Sequence, residues 1–377
     1  MKTLSLLIIA FFSWLPFSFA QAEKLKALYE QQKYDEVIKY KPGANEDLSA
    51  KSFYYIGMAY YMKEDDRNAL KYLDQAIAKG PADHDMYFYK GMILFFMKKY
   101  EEALPFVDNA IALLPEEPDF YGAKGEILNL LKRTDSAIVY LTKATSYQRC
   151  KPRYYLTLAD IYQSLDRNVD ALVVFKTAAE RLPVGETDHQ TFSYNTGLMQ
   201  QLTGDSIAAR ASFEKHIVQY PDDYRAIAKL IQVYYSLEEY EKAKPLKAAL
   251  YGAHKKNVLP EGMEKMFCFH QFYWKGKKIM AFEHFDEPGQ EPIFVKHNFY
   301  VMKDDGTVDY QVRSESSAAV RMTPNGKYVL CLVRNSSFST FWNYIFTDDY
   351  KYPELKKAVL DILNKAVQPS AKTTINN

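Results

Sequence analysis

The sequence predicts an α-solenoid of helix–turn–helix repeats followed by a smaller antiparallel β or α+β domain, and three observations support this fold class. Small residues recur 34 positions apart, as Gly57 and Ala69 and then as Gly91 and Ala103, and a fixed period of this length is typical of stacked helix pairs. Apolar residues surround them at the i, i+3, i+4 spacing of a helix. After Met266, aromatic and β-branched runs alternate with hairpin turns, which indicates strands.

The recurring small residues have a packing reason. Two antiparallel helices cross closely only where one of them presents a small side chain, and Gly57 and Ala69 leave that space. A larger side chain at Ala69 would overpack the crossing, at a cost of roughly 1–3 kcal/mol. Pro81 ends the second helix, because its ring cannot continue one.

The first full repeat, residues 50–81, sets a pattern that returns five times. Its marked positions are Phe53, Ile56, Gly57, Tyr60, Ala69, Leu73, Ala76 and Pro81. The pattern returns at Gly91, Ala103 and Pro115, at Gly125 and Ala137, at Ala159, Ala171 and Pro183, at Gly197, Ala209 and Pro221 after a slip of four residues, and at Ile231 and Ala243. It resembles the tetratricopeptide repeat (TPR). We predict a TPR solenoid over residues 21–253, with six clear repeats from residue 50 and a degenerate one before them.

The segments outside the repeats are also interpreted from composition. Residues 1–20 combine Lys2, an apolar run and the small-x-small end Ser18-Phe19-Ala20, which predicts a secretory signal peptide; an uncleaved membrane anchor is the alternative. Residues 254–262 are interpreted as a linker and residues 263–367 as a β-rich domain. Within this domain the sequence predicts hairpin turns at 304–306 and 324–326, a strand at 341–346 and a terminal amphipathic helix over 353–367. Residues 368–377 lack apolar anchors and are predicted to be a disordered tail.

Charge and hydropathy argue against nucleic-acid binding and against a transmembrane helix in the mature chain. Lys and Arg number 48 and Asp and Glu 47, for a formal charge of +1, whereas a nucleic-acid footprint needs a basic stripe. No interior run reaches the ~18 apolar residues of a membrane helix. We therefore expect no nucleic-acid partner and no transmembrane segment after signal cleavage, and we expect an exported protein, periplasmic or secreted.

The residue types that carry chemistry form no recognisable site. Cys150, Cys268 and Cys331 show no metal spacing; we interpret them as free thiols, with a Cys268–Cys331 disulfide as the alternative. His270, His284 and His297 lie one per predicted strand without a metal signature. There is no nucleophile elbow, no Walker loop and no HExxH. We predict no catalytic residue, no metal and no cofactor.

The resemblance to TPR proteins implies a concave groove lined by the first helix of each repeat. At the N-terminal end it assigns eight groove positions: Tyr54, Met58, Tyr61, Met62, Phe88, Met92, Phe95 and Phe96. Later repeats place polar or aromatic residues there: Glu126, Asn129, Asp160, Gln163, Tyr194, Gln201, Gln232 and Tyr235. Aromatic residues and Met are typical interface anchors. Our hypothesis is that the first eight grip an apolar segment of a partner; the alternative is that they pack as core.

The functional prediction follows from the resemblance. It implies a non-enzymatic protein–protein interaction scaffold of the cell envelope or secreted space, with a protein or peptide partner. The β domain is interpreted as a second contact module or as a cap on the last repeat, because terminal repeats need a cover. Two alternatives stay open: a carbohydrate- or lipid-binding β module that uses Trp274 and Trp342, and an enzyme with an unrecognised active site in that domain.

Overall fold

The computed structural model describes residues 20–41, 47–284, 296–311, 318–322, 328–332 and 353–367. The chain forms two compact units, Met1–Asp166 and Arg167–Asn377. A helical repeat array followed by a small antiparallel sheet is present, which confirms the predicted fold class. Four sequence predictions fall outside the described residues: the signal peptide up to residue 19, a turn at 324–326, a strand at 341–346 and the tail at 368–377.

The described part of the first unit consists of helices. They are α1 (residues 20–30), α2 (Tyr34–Ile38), α3 (Ala50–Met62), α4 (Asp66–Lys79), α5 (His84–Phe96), α6 (Tyr100–Leu113), α7 (Pro118–Leu130), α8 (Thr134–Ser146) and α9 (Pro152–Ser164). The helices α3 and α4, α5 and α6, and α7 and α8 pack as pairs. These pairs are the first three predicted repeats.

Short polar signals set the helix ends. The side chains of Ser49 and Asp65 accept hydrogen bonds from backbone N–H groups three residues on, each at 3.1 Å, and so satisfy donors that the first helical turn leaves free. In the turn inside each repeat, Glu64, Lys98 and Lys132 have φ of 62°, 61° and 61°. One left-handed residue therefore ends the first helix of each pair, and it recurs at the same spacing as the small residues.

The glycines lie where the two helices of a pair approach most closely, as the packing argument predicts. A Cβ atom on Gly57 would lie 3.2 Å from the Ala69 carbonyl oxygen. On Gly125 it would lie 2.5 Å from Cγ of Leu141. A side chain at Gly125 would force the Leu141 side chain to shift, and one at Gly57 would require the neighbouring helix to give by a few tenths of an ångström.

The residues before the first full repeat also join the array. Leu25 of α1 and Val37 of α2 are fully buried and form one cluster with Ile56 of α3. This short helix pair therefore covers the outer side of α3, as a terminal repeat must.

The second unit combines helices with one sheet. Its helices are α10 (Asn168–Arg181), α11 (Thr187–Leu202), α12 (Ser206–Gln219), α13 (Tyr224–Ser236), α14 (Tyr240–Lys255) and α15 (Pro353–Val367). Its strands are β1 (Met266–Trp274), β2 (Lys277–His284), β3 (Lys296–Met302), β4 (Val308–Gln311), β5 (Ala318–Met322) and β6 (Tyr328–Leu332).

The strands pair in the order β1-β2-β3-β5-β6, with β4 paired to β3, and all these pairings are antiparallel. Hairpin β1–β2 runs from Met266 opposite His284 to Trp274 opposite Lys277, with a bulge between Cys268 and His270. In the β3–β4 turn the Asp305 carboxylate accepts hydrogen bonds from both the N–H and the hydroxyl of Thr307. This stabilises a hairpin turn of the kind predicted there.

The sheet shares one core with the last helix pair. Phe269 of β1, Ile279 of β2 and Val301 of β3 are fully buried and form a single cluster with α13 and α15. The predicted linker, residues 254–262, begins inside α14, which ends at Lys255, and the rest of it precedes β1, which starts at Met266. The helix-to-strand change thus occurs at that place, while the packing continues across it.

Candidate functional site

The eight predicted groove positions lie on α3 and α5, and they differ in how much surface they present. Met58 and Met92 are only 3% and 6% exposed. Tyr54, Tyr61, Phe88 and Phe95 are half-buried. Met62 and Phe96 are 46% and 53% exposed. A partner can therefore contact the last turn of each helix far more than the two methionines in its middle.

Ring contacts join the predicted residues across neighbouring helices. Tyr61 of α3 stacks on Phe96 of α5, with ring centroids 6.4 Å apart. Phe88 meets Phe120 of α7 at 4.7 Å. Tyr54 contacts Tyr89 rather than Phe88. The structure thus brings Tyr61 and Phe96 into one surface, while Tyr54 and Phe88 are held mainly by packing.

Burial also fixes the chemical state of Tyr54. Burial raises the pKa of its phenol far above the usual range, and the carboxylate of Asp85 acts in the same direction. Tyr54 is therefore neutral over the whole physiological range, and its hydroxyl is a hydrogen-bond donor.

An exposed apolar row follows the 34-residue spacing. We call Met62, Phe96 and Leu130 the apolar row; they occupy the last residue of α3, α5 and α7. Leu130 is 45% exposed. The sequence interpretation did not include Leu130, although its position 34 residues after Phe96 was the signal that would have found it. Large apolar side chains exposed in a regular series are typical of contact surfaces.

A polar cavity of about 550 Å³ adjoins the apolar row. It is lined by Phe95, Glu126, Asn129, Leu130, Arg153, Thr157, Asp160, Ile161 and Ser164. Phe95 and Leu130 connect it to the row, while Glu126, Asn129 and Asp160 are predicted polar groove positions. Apolar and polar positions therefore form one continuous surface on α5, α7 and α9.

Close packing holds the arginine of this cavity in place. The ring of Tyr154 lies so near Gly122 that a Cβ atom there would be 2.4 Å from it. Arg153 donates to the Tyr154 hydroxyl at 2.6 Å, and that hydroxyl donates to the Asp119 carbonyl oxygen at 3.2 Å. The guanidinium also lies 3.6 Å from the Glu126 carboxylate. Gly122 makes this arrangement possible, because it lets α9 approach α7.

The two carboxylates of the polar cavity differ in their partners. Burial raises the pKa of Glu126, and the charge of Arg153 opposes that effect. Burial raises the pKa of Asp160 as well, and within the described part of the chain no ion pair compensates it. Asp160 is thus a carboxylate that an added donor or cation would stabilise.

Two of the later groove positions are not open to a partner. Gln232 and Tyr235 of α13 are buried, because β1 lies directly on this helix. Gln232 Nε2 donates to the Cys268 carbonyl oxygen at 2.8 Å, and the Tyr235 and Phe269 rings lie 5.2 Å apart. The interpretation of these two residues as groove positions is therefore corrected: the chain's own strand occupies that face.

A buried histidine replaces the small residue of the fifth repeat. His216 stands where the preceding repeats have Ala76, Ala110, Ala144 and Ala178. Its Nδ1 lies 2.7 Å from Ser193 Oγ and its Nε2 3.0 Å from Asp223 Oδ2. Burial acts to raise the pKa of Asp223, but hydrogen bonds from His216, the Ala226 amide and Gln190 lower it overall. Because the imidazole is buried and both its nitrogens join neighbouring helices, we interpret this group as a structural link.

The described residues offer no metal site: no group of three or more His, Cys, Asp and Glu side chains is arranged to hold an ion among them. His270 is buried, burial lowers its pKa to about 4, and its Nδ1 has no hydrogen-bond partner. Cys150 and Cys268 form no disulfide with another described residue. The side chains of His284, His297 and Cys331 lie outside what the structure describes.

Within the described residues, every helix is too short or too polar to span a bilayer. Two family models, each described as a tetratricopeptide repeat, match the chain at residues 54–118 and 118–149. No curated protein matches it.

Several solved structures are similar in part. The C-terminal part of a TPR repeat-containing protein from Cytophaga hutchinsonii is 20% identical, with 63% of this chain and 94% of that chain covered and a TM-score of 0.49. MamA from Desulfovibrio magneticus is 19% identical, with 46% and 96% covered and a TM-score of 0.38. YrrB, a TPR protein with an unusual peptide-binding site, is 19% identical, with 54% and 96% covered and a TM-score of 0.38.

The repeat geometry and the matched residues agree. The matches at residues 54–149 fall on α3–α8, where the glycines lie at the helix crossings. TPR proteins are in general non-enzymatic scaffolds that bind protein or peptide partners. Residues 54–149 of this chain are thus tetratricopeptide repeats, and a small antiparallel sheet follows the helical array in the same chain.

Proposed function

We propose that this protein is an interaction scaffold that binds a segment of a protein partner along the apolar row and the polar cavity beside it. The observation that carries the proposal is the exposure of Met62, Phe96 and Leu130 at the same position of three successive repeats. The partner segment would place apolar side chains over this row. A basic side chain or backbone N–H groups would then meet Asp160 in the cavity.

The second unit supports an extended segment as the occupant. There, strand β1 lies on α13 and offers a backbone carbonyl to Gln232, at 2.8 Å. The first helix of a repeat in this chain is thus able to hold an extended backbone through a side-chain amide. Asn129 supplies an amide of the same kind in the polar cavity of the first unit.

The test is a selection of peptides with a defined loss-of-binding variant. A random peptide library displayed on phage is selected against the full chain, and the enriched peptides are then titrated into Phe96→Ser by calorimetry. Removing the ring should lower affinity by roughly tenfold or more, since burying a Phe contributes about 1.5–3 kcal/mol. Val139→Ser is the matched control, because Val139 is an exposed apolar residue on α8.

Two results of the peptide experiment would contradict this proposal. If no peptide is enriched, or if enriched peptides bind Phe96→Ser as tightly as the unaltered protein, the apolar row is not the binding surface. Thermal unfolding of both variants must show an unchanged fold, which we expect because both side chains are exposed.

We further propose that the protein acts outside the cytoplasm, after cleavage behind Ala20. The apolar run that ends in Ser18-Phe19-Ala20 motivates this. Cleavage there would keep Ala22 and Leu25, which are buried, in the mature chain. Mass spectrometry of the protein from separated cell fractions tests the proposal. An uncleaved N-terminus in the cytoplasmic fraction would refute it.

A further inference from the structure

The second unit contains a pocket whose described lining residues include basic side chains but no acidic one. This sheet pocket, of about 220 Å³, lies between α13, the loop that follows Pro260, and strands β1 and β2. It is lined by Tyr194, Arg225, Ala228, Lys229, Gln232, Gly262, Met263, Met266, Phe267, Cys268 and Phe282. Two of these residues are basic, most of the others are apolar or aromatic, and none of the described lining residues is acidic.

Lys229 is the unusual member of the sheet pocket. It is partly buried, and its ammonium donates to Gln232 Oε1 at 3.3 Å. Burial lowers the pKa of Lys229, Cys268 opposes that effect, and the nearby charge of Lys278 adds to it. An ammonium has three N–H donors, and within the described residues no carboxylate pairs with this one. Glu264 lies in the same loop but does not line the pocket.

A neighbouring lysine shows how this fold normally balances such a charge. Lys247 of α14 also faces the sheet, and it forms an ion pair with Glu283, whose side chain is fully buried. Tyr251 donates a further hydrogen bond to the same carboxylate. A buried charge is costly unless it is paired, and β2 supplies the partner for Lys247. Among the residues that the structure describes, Lys229 has no equivalent partner in its own pocket.

We infer that the sheet pocket binds a carboxylate carried on a short apolar chain, with the carboxylate on Lys229 and the chain against Met263, Phe267 and Phe282. The volume is below the about 300–1,000 Å³ of pockets for drug-sized ligands, so the ligand is a small organic acid or one residue of a longer polymer. Gln232, already held by the Cys268 carbonyl oxygen, orients the lysine. Half of the wall comes from the loop and strands that follow the repeats.

Two kinds of ligand carry a carboxylate on a short apolar chain: a free short-chain acid and the terminal residue of a polypeptide. A titration experiment distinguishes them. Hexanoate, a peptide that ends in a free Leu carboxylate, and the same peptide with a C-terminal amide are each titrated into the full chain by calorimetry. We expect the two carboxylates to compete for one site and the amide not to bind. If both hexanoate and the peptide bind, the pocket recognises any carboxylate on a short apolar chain. If only the peptide binds, the natural ligand is the terminal residue of a polypeptide.

Lys229→Met tests the assignment of the lysine. It should lower carboxylate affinity by roughly tenfold to a hundredfold, as expected for loss of a hydrogen bond to a charged group. Lys215→Met, which removes an exposed lysine of α12, is the control for net charge. The fold of Lys229→Met should be at least as stable as that of the unaltered protein, because the variant removes a poorly paired charge. Lys229→Gln serves as a second variant.

Three results would overturn the inference. They are the absence of binding by both carboxylates, equal binding of the peptide amide, and unchanged affinity in both Lys229 variants. None of these results depends on Phe96, so the proposal for the first unit stands or fails separately.

Discussion

The first helices of the repeats meet different neighbours in the two units. Tyr61 of α3 and Tyr235 of α13 hold equivalent places in their repeats. Tyr61 stacks on Phe96, whose outer surface is exposed. Tyr235 is buried against Phe269 of β1. The same kind of helix face is thus left open in the first unit and is covered by the chain's own strand in the second.

This difference shows what such a face requires of an occupant. On α13 the occupant is a strand whose buried aromatic side chains pack on the helix and whose backbone accepts a hydrogen bond from Gln232. Strand β1 is therefore held on α13 by apolar packing together with one side-chain hydrogen bond. The open face offers the same two components, the apolar row and the polar cavity. A partner segment would supply in the first unit what β1 supplies in the second.

The largest expected effect concerns the strand that covers α13. Phe269→Ala should destabilise the protein by about 3–5 kcal/mol, the usual cost of deleting a buried phenyl ring. Phe96→Ala, the same change at an exposed ring, should stay within about 0.5 kcal/mol. Urea denaturation followed by circular dichroism measures both. Equal costs for the two variants would show that the strand is not part of the core.

The buried ion pair should be nearly as sensitive. Lys247→Met leaves the fully buried Glu283 carboxylate without its cation, and we expect a loss of about 3–5 kcal/mol. Lys229→Met removes a lysine that pairs with no carboxylate in the described part of the chain, and this variant should be neutral or stabilising. The same denaturation experiment compares them. If both variants lose stability equally, Lys229 has a partner of its own and the contrast between the two lysines disappears.

The cover of α13 should also weaken in acid. Burial lowers the pKa of His270 from 6.5 to about 4, and its ring lies 5.4 Å from that of Tyr235. As the pH falls below the unfolded value, the unfolded chain binds a proton that the folded chain cannot. The free energy of unfolding therefore decreases between about pH 6.5 and pH 4, by at most about 3–4 kcal/mol.

Replacing this histidine tests the acid effect. In His270→Leu the decrease in unfolding free energy that His270 causes in acid should be absent. Above pH 7 the unfolding free energies of the two proteins should depend on pH in the same way. Unfolding free energies measured at pH 7.5, 5.5 and 4.5 give the slopes. Identical slopes for the two proteins would mean that another group causes the acid sensitivity.

The helical array could be predicted from the sequence because its cause is local and repeated. Each crossing needs space, so Gly57, Gly91 and Gly125 recur at one spacing and all lie at close contacts. The terminal helix was predicted with its observed bounds, since the apolar face of 353–367 is continuous. The exposed last turns were partly predicted: Met62 and Phe96 were included and Leu130 was missed.

The sheet's position could not be predicted, because periodicity carries no information about contacts between distant elements. Gln232 and Tyr235 keep the register of groove residues, and only β1, more than 30 residues later in the chain, buries them. The burial of Met58 and Met92 has a related cause. The repeat spacing identifies the helix face on which a residue lies. The side chains of adjacent helices determine how much of that residue remains exposed.

The smallest expected effect concerns the polar end of the open face and depends on the proposed function. Partial burial raises the pKa of Asp160, but the residue is exposed overall and has no ion-pair partner among the described residues. A lysine or arginine in a bound peptide should therefore gain only about 0.2–1 kcal/mol from it. Asp160→Asn should therefore weaken such peptides by only about 1.5- to 5-fold. Peptides with Gln in place of the basic residue should bind the two proteins equally.

Asp135→Asn, which neutralises an exposed carboxylate on α8, is the control. A double-mutant cycle measured at low salt isolates the pairwise effect, and a coupling of zero would leave the cavity with a role in shape alone.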